Sequence, residues 1–256
     1  MNDNASVTLD PKHAPRYNPT VAKRAGKSGK QLVTRDSDIR RVLLADLGQK
    51  YNDPQHDLIV EEFGCNTARA DVAVINGSLH AFEIKSDSDS LERLPGQMEA
   101  YRGVFEYVTL VCGHRLIERA RTKVPDWWGL QKAAYKNGQV VLRPIRAAKP
   151  NPSQDALALA GMLWKIEALA CLRKYGHRVV TSKNTAGEVS RAVAEYIRVD
   201  ILTDEVRQAI KARGGSGFAK RTVPDDDLCT TESIVPLAHS SRLDWLLSVQ
   251  SPCHLR

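Results

Sequence analysis

The sequence predicts an α/β protein: a mixed β-sheet flanked by helices, followed by a C-terminal helical domain. Three observations predict it. Between Ser37 and Pro144 the periodic segments run helix, three strands, helix, strand, helix, then a hairpin. Asn76-Gly77-Ser78 joins two apolar runs as a hairpin, so those strands are antiparallel, whereas the next strand follows a helix and returns parallel. Finally, Lys149-Pro150-Asn151-Pro152-Ser153 carries too much proline to continue either element, and only helical patterns follow it.

In chain order, Ser37 can cap a first helix, with Asp38 at its positive end and Ile39, Val42, Leu43 and Leu47 at helical spacing up to about Tyr51. Leu58 to Phe63, Ala70 to Ile75 and Leu79 to Lys85 read as strands. Pro95 suits the first turn of a helix reaching about Gly103. Tyr107 to Cys112 is a β-rich apolar run, Arg115 to Val124 is helical, and Leu130 to Tyr135 with Val140 to Pro144 form a hairpin around Asn137-Gly138. Beyond the linker, Asp155 to Tyr175 reads as one long helix. Thr185 with Glu188 makes a capping box for a helix to about Ile197, and Thr203 starts another that ends at Gly214-Gly215. The expected organisation is a basic tail over 1–34, a sheet domain over 35–148, a helical domain over 153–215 and a tail without readable pattern over 216–256.

The 256 residues carry a net charge of +7 and are 42% hydrophobic, enough to bury a core. No apolar stretch approaches the ~20 residues of a membrane span, so a soluble, cytoplasmic protein is expected. The five cysteines form no CxxC pair, which argues for reduced, inert thiols. No HExxH, GxSxG or GxxxxGK[ST] pattern occurs, removing zincin, nucleophile-elbow and P-loop readings. Residues 1–36 hold seven Lys/Arg against three Asp/Glu, so more than half of the positive excess sits in the tail.

The informative stretch is Asp71 followed by Glu83-Ile84-Lys85. Carboxylates in half-buried strands cost several kcal/mol unless a cation or hydrogen-bond donors compensate them. Glu83 and Lys85 leave one face of their strand. Asp71 shares that face if the loop is odd in length, and a three-residue loop is expected. Asp71, Glu83 and the Ile84 carbonyl then offer hard oxygens suited to magnesium or manganese, with Lys85 placed to orient water or stabilise charge on a phosphate oxygen.

These residues resemble the PD-(D/E)XK nuclease superfamily, with Ala70 in place of the motif's proline. Gln97 and Tyr101, four apart on the next helix, resemble the QxxxY feature of its RecB-type members. More narrowly, Arg69 to Gly77, Glu83 to Asp89, Arg93 to Gln97 and Val124 to Gly129 resemble an uncharacterised bacterial and phage family designated sce-seven-seven-two-six. The superfamily resemblance implies a restriction-endonuclease-like fold and a magnesium-dependent deoxyribonuclease. It makes Asp71, Glu83 and Lys85 catalytic, places the metal on Asp71, Glu83, Ile84 and an upstream acid, for which Glu62 is favoured over Glu61 or Asp46, gives Gln97 and Tyr101 to DNA contact or to bracing the site, and gives Arg69 to nucleic-acid binding. DNA is the expected partner, RNA an alternative substrate, and a homodimer is compatible with the fold. The alternative function is a noncatalytic DNA-binding or adaptor protein. Asp87 and Asp89 read as loop charges, Trp127-Trp128 as core, and the arginine-bearing C-terminal helices as a bundle rather than a helix-turn-helix.

Overall fold

A computed structural model describes residues 32–214; the expected 216–256 tail and nearly all of the 1–34 tail lie outside the described residues. The described chain forms α1 (Asp36–Lys50), β1 (Leu58–Cys65), β2 (Ala68–Ile75), β3 (Leu79–Lys85), α2 (Leu94–Val104), β4 (Tyr107–Gly113), α3 (Ile117–Arg121), β5 (Gly129–Lys136), β6 (Gln139–Arg146), α4 (Ala156–Ala160), α5 (Lys165–Lys174), α6 (Ala186–Tyr196) and α7 (Val199–Ala212). The six strands make one mixed sheet in sequential order. Pairing is antiparallel from β1 to β3, parallel across β3–β4 and β4–β5, where α2 and α3 cross over, and antiparallel in β5–β6.

Each face of the sheet is buried by the amphipathic side of a helix. On one face Ile39, Leu43 and Leu47 of α1 pack on Val72, Val74, Phe82 and Ile84. On the other, α2 contributes Leu94, Tyr101 and Val104, and the apolar residues of α4 to α7 run into the same core. The helical segment therefore completes the sheet's second layer. β3 is buried almost throughout, with Glu83 and Lys85 included, because it lies at the centre of a sheet covered on both faces.

The two Asn-Gly turns differ. Asn137 and Gly138 both adopt positive φ, and Lys136 pairs with Gln139, a two-residue hairpin. Ile75 pairs with Leu79, so Asn76–Ser78 is a three-residue loop, as its parity argument requires, and the Asn76 carboxamide accepts from the Ser78 N–H.

Several sequence expectations need correction. The helix expected over Asp155–Tyr175 is two. Asp155 caps α4 by accepting from the Ala158 N–H, the chain turns at Gly161, and α5 restarts after Trp164, whose N–H is taken by Glu167. The helix expected to start at Thr203 starts at Val199 instead; Thr203 lies inside α7 and donates to the Val199 carbonyl. The N-cap of α1 is Arg35, not Ser37. Thr34, expected in the tail, is buried and bonds the Asp87 carboxylate. The Thr185–Glu188 capping box is present.

Candidate active site

β3 presents Glu83 and Lys85 toward α2, where both are buried. The Lys85 ammonium pairs with Glu83 Oε1. Gln97 Nε2 donates to the same oxygen at 2.6 Å, and the Tyr101 hydroxyl lies 2.6 Å from Glu83 Oε2 and 2.8 Å from the Arg69 carbonyl. The i, i+4 spacing of Gln97 and Tyr101 is what lets both reach one carboxylate from α2. Tyr101 is fully buried and stacks on Trp128, so of its two expected roles these bonds serve bracing.

Asp71 sits at a kink. Before it in the chain Ala70 faces the α2 side; after it Val72 faces α1 and Ala73 the α2 side again. Its neighbour across β1, Glu62, has φ of 53°, a left-handed conformation that a non-glycine residue adopts only at a cost. Both strands thus switch faces at the Glu62–Asp71 level. The β2–β3 register, continued past Val72↔Phe82, sets Asp71 opposite Glu83, but the ladder lapses there. Asp71 Oδ2 instead accepts from the Ile84 N–H at 2.7 Å. A strand residue's N–H and C=O leave by the same edge, so the Ile84 carbonyl opens toward Asp71 as well.

Arg40 of α1, which sequence reasoning missed, fixes Asp71 from the other side. Its guanidinium donates to the Asp71 carbonyl at 3.1 Å and to Oδ1 at 2.8 Å, and pairs with Asp36 at 3.1 Å and Glu62 at 3.1 Å. Burial would lower the Arg40 pKa, but the bonds to Asp36 and Asp71 outweigh it and the net direction is up. The available signal was a charged residue directly beside Ile39 on the face of α1 that meets the sheet.

Glu62 is therefore held between Arg40 and Arg69, the latter at 2.6 Å, rather than directed at Glu83. Asp46, its rival, is exposed on α1. Asp89 accepts from Ser86 and closes the loop after β3, while Asp87 is held by Thr34, His114 and the Arg115 N–H.

Burial raises the Glu83 pKa and the neighbouring Asp71 charge raises it further, while Lys85 and Tyr101 oppose the shift. Among the described residues no group of three or more His, Cys, Asp or Glu is placed to hold a metal ion. The donor set that fits a hard divalent cation is smaller: two carboxylates that repel each other, the Ile84 carbonyl and water. Gln97 Oε1, buried beside Glu83 without a donor among the described residues, fits a water in that shell.

The profile of the family described as bacteriophage P4 protein cII matches residues 30–222. Protein cII of Enterobacteria phage P4 is 30% identical over 179 residues, which span 70% of this chain and 66% of that relative. A solved structure of a protein of unknown function from Silicibacter pomeroyi aligns over 54% of this chain and 94% of its own, at 17% identity and a TM-score of 0.32. Among the described residues no helix is long and apolar enough to cross a membrane.

Proposed function

This chain belongs to the bacteriophage P4 protein cII family, and we propose that it is a metal-dependent nuclease that hydrolyses DNA phosphodiester bonds. The observation that carries this reading is the junction of β2 and β3: Asp71 is bonded to the N–H of Ile84, and Glu83 and Lys85 flank that residue as a buried pair. Magnesium, or manganese, bound by Asp71, Glu83 and the Ile84 carbonyl would supply Lewis-acid activation of water and charge neutralisation at the phosphate. The protein's own part is positional. Gln97 and Tyr101 hold the Glu83 carboxylate, Arg40 holds Asp71, and the Lys85 ammonium would stabilise charge on a phosphate oxygen. Arg69, with its side chain 61% exposed, is the residue of this group open to a phosphate.

Plasmid and single-stranded DNA incubated with magnesium should be cut, and Lys85→Ala or Asp71→Ala should slow cutting by about 10²–10³-fold, as loss of one preorganised charge does. RNA in parallel tests the alternative substrate. The Glu83 and Lys85 side chains are only 2% and 5% exposed, which favours a second reading, a noncatalytic DNA-binding or adaptor protein on the same fold. Metal-independent DNA binding without cleavage would establish that reading over the first.

A further inference from the structure

The register of the sheet places Lys85 opposite Cys112, Cys112 opposite Lys132 and Lys132 opposite Arg143. Residues facing one another in a ladder project from the same side, so these four form one row on the face that carries Glu83. Cys112 is buried and fills the gap between the two lysines. Neighbouring strands lie ~4.8 Å apart, which puts Lys132 roughly 10 Å and Arg143 roughly 14 Å from Lys85 along the row.

Lys132 and Arg143 are like charges directly across an antiparallel pair, an arrangement that costs folding energy. Neither side chain has an ion pair or hydrogen bond among the described residues, whereas the nearby Arg146 is tied to Asp126 and the Trp128 carbonyl. The acidic groups near the row are already engaged, Glu83 by Lys85, Asp87 by Thr34 and His114, and Asp89 by Ser86. The imbalance extends through this half of the sheet. Residues 101–150 carry ten Lys/Arg against three Asp/Glu, and residues 51–100 the reverse, three against ten.

We propose that the Lys132–Arg143 pair on β5 and β6 is a phosphate track, binding the backbone of a polynucleotide a few nucleotides from the group held at Lys85. An anion lying between two unpaired cations relieves their repulsion, and a strand held there lies on the basic half of the same sheet face that carries the carboxylates. The inference deepens the nuclease reading and rests on it for the position of the scissile phosphate, but binding by the track needs neither metal nor cleavage.

The test is fluorescence anisotropy with labelled single-stranded DNA and RNA of equal length, without metal, across a salt series. The full chain is compared with Lys132→Ala/Arg143→Ala and with Arg143→Glu. The double variant should lower the slope of log K against log salt by about 1.4, that is ~0.7 per lost phosphate contact on a single strand. Arg143→Glu should weaken binding while raising the melting temperature, because it turns a repelling cross-strand pair into an attracting one. An unchanged slope, or Arg143→Glu that melts lower, would overturn the track. Binding that depends on the track in a protein that never cuts leaves the track standing and removes the nuclease. Cleavage with an unchanged salt slope does the reverse.

Discussion

Glu83 and Glu205 are each buried and each paired with a lysine and a tyrosine. Glu83 takes Lys85 and Tyr101; Glu205 takes Lys174 at 2.7 Å and Tyr175 at 2.9 Å, linking α5 to α7. The residue types match, but the surroundings do not. Beside Glu83 lie a second carboxylate, a strand carbonyl freed by the lapse in the ladder, and a buried amide oxygen without a donor among the described residues. Around Glu205 both partners sit on its Oε1, and no second carboxylate bonds to it among the described residues. A carboxylate–ammonium–phenol trio is therefore a way to bury an acid. It becomes a candidate reaction centre only where another carboxylate repels it, because that repulsion is what a divalent cation relieves.

The sharpest way to break the comparison is to exchange the losses. Lys85→Met should slow DNA cleavage by about 10²–10³-fold, while Glu205→Gln should leave the rate per folded molecule unchanged, both read from plasmid nicking. A drop in both would make the trios equivalent and remove the distinction. The tyrosines come next. Tyr101→Phe deletes a donor to a fully buried carboxylate and should cost about 1–3 kcal/mol in urea unfolding, whereas Tyr175→Phe, at a third-exposed residue, should cost about 0.5 kcal/mol. The smallest effect is in alkaline stability. The bond to Glu205 holds the Lys174 pKa above its ordinary 10.5, against the lowering effect of burial. The stabilisation is complete below the unfolded value and is lost as pH rises through the folded one. Tyr175, whose pKa burial raises, acts in the same sense. Lys174→Met should thus flatten the fall in melting temperature above about pH 10.5, relative to the unmodified chain.

The basic residues of the C-terminal helices repeat the lesson. Arg207 pairs with Glu106 at 2.6 Å, Arg198 with Asp200 at 2.6 Å, and Arg213 with Glu167 at 3.1 Å while covering the Trp164 ring. These are contacts of a bundle fastened to a sheet, as the helical periodicity implied, and the cations on β5 and β6 stand apart from them in lacking such partners among the described residues.

Elements set by local chemistry were legible in the sequence: the six strands with the helix between β3 and β4, the Thr185 capping box, both Asn-Gly hairpins and the parity of the first one. Asp71, Glu83 and Lys85 were legible because charge in an apolar strand is conspicuous wherever the strand lies. Hydrophobic periodicity could not see the break between α4 and α5, since Gly161 to Trp164 keeps apolar residues through the turn. Nor could it place Val199 as the first residue of α7, where the chain lacks a side-chain cap. The tertiary structure alone decided that Arg40, thirty-one residues from Asp71, closes the site, that Glu62 answers to arginines, and that two strands change face where the acids meet. A single sequence records the cost of each charge, but its compensation comes across long loops, and only the packed sheet brings those partners within hydrogen-bond reach.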